Sequence, residues 1–292
     1  MVAHETVNER RKQAGLPAYF LLAFGIAWSS ILLIASGTGL PARPGTPETS
    51  RYLMFLGMLA GPSVASLVLT AVHTGRSGLG QLWTGLRRWR VGARWYLAVL
   101  AAPGIFALVV LVLSPILTTA AAPIARGAAP GPLILAALVG GLGAGIFEEL
   151  GWTGFATPRL VERHGWLRAG LLLGVIWAAW HGLGDYWGGA AWGTRWWLHF
   201  AEWVLALTAF RVLMTWVYTH TGSLLLAVLL HAGSTGTQIL LWPASTPAQE
   251  LAWYGTFAFA LAFVAALVVL RGRLVSCRAS RSERRAEKGE NT

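Results

Sequence analysis

Glu148-Glu149-Leu150-Gly151-Trp152-Thr153-Gly154-Phe155 places two adjacent carboxylates at the end of an uncharged run, Pro132 to Phe147. If that run enters a bilayer it carries both acids with it, at a substantial cost for each ionised group that lacks a partner. Ionisable residues at such depth mark a site, and the rest of the chain is read around them.

The surrounding composition fixes the solvent. Of 292 residues, 55% are hydrophobic and only 12% charged, whereas a soluble domain carries about 25% charged residues. The chain reads as an all-α, polytopic transmembrane helix bundle. Its net charge of +11 does not indicate nucleic-acid binding, because the basic residues sit in short segments between apolar runs and no separate domain carries them. The single cysteine, Cys277, excludes a disulfide framework and a thiolate metal cluster.

A spanning helix needs about 20 mainly apolar residues. Eight runs qualify: Ala18–Ser36, Tyr52–Val72, Tyr96–Ala120, Pro132–Thr157, Ala169–Tyr186, Trp197–Tyr218, Ser223–Trp242 and Leu251–Leu270. Eight spans leave both termini on one side. With that side inside, the N-terminal arm, the second and fourth connections and the tail hold eighteen Lys and Arg, against four in the other connections. The excess places both termini in the cytoplasm of a cell-membrane protein, in a bacterial inner or plasma membrane.

The chain divides into an N-terminal arm (1–17), N-terminal membrane helices (18–130), a membrane core (131–242), a last membrane helix (243–271) and a basic tail (272–292). The tail lacks apolar periodicity and is expected to be disordered and drawn to anionic membrane lipids. Gly78 to Trp95 interleaves Leu79, Leu82, Trp83, Leu86 and Trp89 with arginines, as an amphipathic surface segment or a solvated loop would. Pro41 to Arg51 is expected to be an irregular turn. Tyr186, Trp187, Trp192, Trp196 and Trp197 fit an interfacial aromatic belt. Gly140, Gly141, Gly143 and Gly145 allow close helix contact, which makes the glutamate helix central. No internal repeat is visible, which argues against a repeat-built transporter.

The other ionisable residues within spans are His181, Asp185, Glu202, Arg211 and His231. At about 1.5 Å per residue, Glu148, His181 and His231 lie roughly 15, 18 and 12 Å in from the same end of three different helices. Matched depth permits one buried site, with a cavity opening toward the basic, cytoplasmic end. There a carboxylate could act as general base on water while imidazoles bind a metal or polarise a carbonyl. Arg159 or Arg211 would be the counter-ion of Glu149. Other intramembrane protease chemistries fail on inspection. Asp185 is the only aspartate, Gly75-Arg76-Ser77-Gly78 lies in a basic connection, and the only His-Glu pair, His4-Glu5, is followed by Asn8.

Three ordered segments then carry a resemblance: Glu148 to Phe155, Trp177-Ala178-Ala179-Trp180-His181, and His231-Ala232-Gly233-Ser234-Thr235. They resemble the motifs of the CPBP family, the CAAX-protease and bacteriocin-processing (Abi-type) intramembrane endopeptidases, over roughly Val139 to Gln238. The resemblance implies a membrane protease acting on a membrane-associated or lipid-anchored protein or peptide. In it Glu148 and His181 activate water, Glu149 supports them, His231 binds the oxyanion and Thr235 assists. The family has been described both as glutamate proteases and as metalloproteases, so a divalent metal such as zinc at Glu148, His181 and His231 stays open. The chain departs from the family pattern at Thr153, usually Arg, at Trp177, usually Phe, and at Thr235, usually Asn or Asp. A catalytically silent scaffold or bacteriocin-immunity-type protein using the same cavity is the alternative reading.

Overall fold

The computed structural model describes residues 15–117, 129–189 and 192–289, with side chains through residue 272. The N-terminal arm through residue 14, Arg126, and the side chains of the basic tail therefore lie outside the described residues. The elements are α1 (Leu16–Thr38), α2 (Glu48–Leu86), α3 (Ala93–Val99), α4 (Ala101–Ile116), α5 (Pro130–Gly151), a π-helical turn (Trp152–Ala156), α6 (Thr157–Gly188), α7 (Trp196–Thr221), α8 (Leu224–Leu241) and α9 (Pro247–Gly289). No strand occurs among the described residues.

Six helices are long and apolar enough to cross a membrane, or seven when the bent pair α3 and α4 is taken as one span. The eight expected spans reduce to this number because Pro130–Gly188 forms one 59-residue helical stretch holding two of them. Gly165 divides that stretch: its φ of 73° and ψ of 162° are non-helical and suit a residue without a Cβ. Glu148, seventeen positions before it, and Trp177, twelve positions after it, are hydrogen-bonded to each other, so the chain folds back there. The expected third span, Tyr96–Ala120, is also not a single helix. It bends by 41° between α3 and α4, where Pro103 removes a donor for the Val99 carbonyl and its ring crowds that group.

The helices pack through small residues. A Cβ on Gly141 would lie 2.5 Å from the Ala232 carbonyl oxygen, and one on Gly145 would lie 2.5 Å from that of Val228. α5 and α8 therefore touch backbone to backbone, as small residues in a membrane bundle allow, and the glutamate helix is central as expected. From α2, Ser63 and Ser66 donate to the Phe147 and Leu150 carbonyls, each at 2.7 Å, and tie down the glutamate turn.

The connections gather at two ends. At one, the Ser223 hydroxyl donates to the Arg88 carbonyl at 2.6 Å, joining the α2–α3 and α7–α8 connections. Arg76, Arg87, Arg88, Arg90 and Arg94 belong to this end by their place in the chain. At the other, the Ala42 amide donates to the Trp187 carbonyl at 2.8 Å, so the α1–α2 and α6–α7 connections meet.

Three local expectations change. Gly78 to Trp95 is helical only to Leu86, with Leu79, Leu82 and Leu86 half-buried and Trp83 and Trp89 exposed. The aromatic belt is reduced to Tyr186 and Trp197, which stay exposed. Trp187 and Trp196 are buried and donate to Thr38 Oγ1 at 3.0 Å and Asp185 Oδ2 at 2.7 Å, while Trp192 stacks on His199. The tail backbone, expected to be disordered, continues α9 to Gly289. Its Arg, Glu, Ala and Lys content lacks apolar periodicity but favours helix.

Packing this close predicts sensitivity to one methyl group. Gly145→Ala should destabilise the protein by about 1–3 kcal/mol through overpacking. Gly25→Ala, where a Cβ meets open space, should be neutral or slightly stabilising. Thermal unfolding in detergent compares the two.

Candidate active site

Neighbouring residues on an α-helix point about 100° apart, so Glu148 and Glu149 face different partners. Glu149 is fully buried and faces α7 and α8. Arg211 Nη1 and Nη2 donate to its two oxygens at 2.8 and 3.1 Å, a bidentate pair. His231 Nδ1 lies 2.8 Å from Glu149 Oε1, and the Thr153 hydroxyl donates to Oε2. Arg211 Nη1 also reaches Thr153 Oγ1 at 3.4 Å. A buried carboxylate is thus held by a cation, an imidazole and a hydroxyl, which offsets its desolvation. Arg211, not Arg159, is the counter-ion. The Arg159 guanidinium instead sits 3.6 Å from the centre of the Phe155 ring.

Glu148 turns toward α6 and a cavity of about 310 Å³. Its Oε2 accepts the Trp177 indole N–H at 2.8 Å and lies 3.9 Å from His181 Nε2. Trp177 contributes more than the aromatic packing read from the sequence. Its ring is edge-on to both His181 and His231, at 5.4 and 5.2 Å between centroids, and the Arg211 guanidinium covers it at 4.1 Å. His181 is further enclosed by Trp180 and Trp203. The resulting order is Glu148, Trp177, Arg211, Glu149, an unbroken path of contacts from cavity wall to buried ion pair.

Glu148, His181, His231 and Thr235 all line this cavity, while Glu149 stands behind its wall. Two residues absent from the sequence reading join them on α8: Ser234 and Gln238, with Gln238 Nε2 donating to the Ser234 carbonyl at 3.3 Å. Spacing within His231-Ala232-Gly233-Ser234-Thr235-Gly236-Thr237-Gln238 could have revealed Gln238, one helical turn beyond Ser234. The opposite wall is apolar and includes Met54, Met58, Leu207, Phe257 and Leu261.

The direction of the cavity departs from expectation. Met54, Asp185, Gln238 and Tyr254 lie within about two turns of the ends of α2, α6, α8 and α9 that face away from the arginine-rich connections. The cavity therefore extends away from the basic end. On the basic side the path is filled by Tyr19, Trp152 and Phe155, all buried and in ring contact around Tyr19.

The donor set was tested against a metal ion. Among the described residues no group of three His, Cys, Asp or Glu side chains is arranged to hold one. His231 commits Nδ1 to Glu149, and His181 meets Glu148 only at 3.9 Å. Glu148, His181 and His231 do not form the zinc ligand set, and no step below runs through a metal.

The ion pair yields a prediction. Arg211→Met leaves Glu149 buried without a counter-charge and should cost about 3–5 kcal/mol. Adding Glu149→Gln should recover much of that loss, which a double-mutant cycle on thermal unfolding would read.

Comparison with known proteins agrees with this geometry. Residues 130–237 match the family described as "Type II CAAX prenyl endopeptidase Rce1-like". Over 38 residues the chain is 45% identical to "CAAX prenyl protease 2" of Methanococcus maripaludis, covering 13% of this chain and 14% of that protein. The chain thus spans about a seventh of the length of this curated relative. All three motif segments fall inside the family match, and residues 130–237 are Rce1-like, consistent with the CPBP family that those motifs resemble.

Proposed function

We propose that the protein is an intramembrane endopeptidase that hydrolyses a peptide bond in a membrane-associated or lipid-anchored protein or peptide. The observation that carries this reading is the approach of Glu148 Oε2 to His181 Nε2, 3.9 Å, on the wall of a cavity that His231 and Thr235 also line. A water in contact with both groups at about 2.8 Å loses a proton to Glu148 as its oxygen attacks the scissile carbonyl carbon. The Trp177 N–H fixes the carboxylate, and His181 orients the water. His231 and the Thr235 hydroxyl receive the developing oxyanion. Glu148 then returns the proton to the departing amide nitrogen. The apolar wall suits an apolar side chain or a lipid anchor of the substrate.

The buried network sets a condition on His231. Its Nδ1 faces a carboxylate that Arg211 keeps charged, so Nδ1 carries hydrogen, and Nε2 can donate to an oxyanion only in the imidazolium form. Glu149 then acts behind the wall as a positioning residue that holds this ring and balances its charge.

Glu148→Gln should lower cleavage of a membrane-anchored substrate in proteoliposomes by about 10²–10⁴-fold with thermal stability retained. Undiminished cleavage by this variant would overturn the reading. The His231 condition predicts that the rate falls as pH rises. His231→Gln, whose amide donates at any pH, should be slower but lack that alkaline limb in its pH–rate profile.

A further inference from the structure

A second cavity, of about 450 Å³, lies at the basic end on the far side of the π turn from Glu148, lined by side chains that the catalytic reading does not use. Arg88, from the α2–α3 connection, and Arg159, from the first turn of α6, line it together with Tyr218, Gln81 and Thr84. Tyr218 lies within electrostatic reach of both guanidinium groups. Glu162 is the one acid in the lining, so the charged groups there sum to a single positive charge.

Both arginines are placed rather than trailing. The Arg88 backbone is fixed by the Ser223 hydroxyl on its carbonyl, and its Nη1 lies 2.5 Å from where a Cβ on Gly222 would sit. Gly222, at φ 62°, gives the guanidinium its room. Arg159 is held on the Phe155 ring and donates to the Phe155 carbonyl at 2.8 Å. Two oriented guanidinium groups with a phenol and a hydroxyl beside them suit a phosphate, which takes several donors in parallel.

The setting identifies where that phosphate comes from. Exposed Trp83 and Trp89, each with an arginine beside its ring (Arg87 and Arg90), flank Arg88 in sequence. Exposed tryptophans paired with arginines characterise the headgroup level of a bilayer. We propose that this cavity binds the phosphodiester of an anionic lipid headgroup, with Arg88 and Arg159 as its cationic ligands and Tyr218 as a hydroxyl donor. The assignment stands apart from the protease reading. The two cavities are separated by the π turn, whose Gly154 lines this one and whose Thr153 donates to Glu149.

The full chain would be placed in nanodiscs of phosphatidylcholine, alone or mixed with phosphatidylglycerol, then extracted and weighed by native mass spectrometry. Wild type should retain phosphatidylglycerol in preference to phosphatidylcholine. Arg88→Gln should lower that retention about tenfold, while Arg90→Gln, outside the cavity, should leave it unchanged. If Arg88→Gln does not fold, Tyr218→Phe should lower retention about threefold. Equal losses in Arg88→Gln and Arg90→Gln would show diffuse surface attraction and overturn the site, as would a wild type without lipid preference. Displacement of the lipid by inorganic phosphate would identify a soluble phosphate as ligand and overturn the lipid assignment.

Discussion

The structure depends on a carboxylate and a guanidinium that meet where neither can reach water. Glu149 and Arg211 are both fully buried, and ions withdrawn from solvent are tolerated only when geometry and extra hydrogen bonds are nearly complete. That demand propagates outward. Arg211 must lie flat on Trp177, His231 must present Nδ1, and Thr153 must turn its hydroxyl inward. α5 and α8 can meet the demand because glycines let their backbones touch. The ion pair thus acts as a register pin among α5, α7 and α8, comparable to a polar residue that fixes alignment in a coiled coil.

Fixing one glutamate this firmly leaves its neighbour available. Glu148 shares the same helical turn but a different face, with one indole donor and one imidazole beside it at a cavity wall. A charged site embedded in apolar protein needs rigid supporting contacts if its reactive groups are to hold their geometry. Here Trp177 supplies the contact between the rigid pair and the exposed one. The usual Phe at this position could provide the ring but not the N–H.

Much of this was legible from residues alone. Apolar runs of spanning length and glycines before the acids pointed to a helical bundle with the glutamate helix at its centre. The matched depths of Glu148, His181 and His231 pointed to one cavity. What escaped the sequence was set by backbone geometry. Gly165 reads as an ordinary glycine, yet it joins two spans into one helical stretch, and Pro103 bends a run that hydropathy shows as continuous. Trp187 and Trp196 look interfacial by type but are buried because each indole finds an acceptor. Arg211 was one of two candidates for Glu149, and only side-chain direction separates it from Arg159. The cavity direction was missed because filling by Tyr19, Trp152 and Phe155 is a tertiary effect.

The π turn at Trp152–Ala156 closes a wider loop than an α-turn, with the Thr157 hydroxyl donating to the Trp152 carbonyl five residues back. Such a turn holds one residue more than the regular helix, so the faces before and after it are set independently. Upstream, the phase is dictated by Glu149 and its three partners. Downstream, it is dictated by Arg159 against Phe155. Deleting a single residue between Trp152 and Ala156 would return the segment to α-helix and swing everything beyond it by about 100°. In chain-length terms this is the least forgiving stretch of the core: side chains within it can be exchanged, as Thr153 illustrates, but their number cannot.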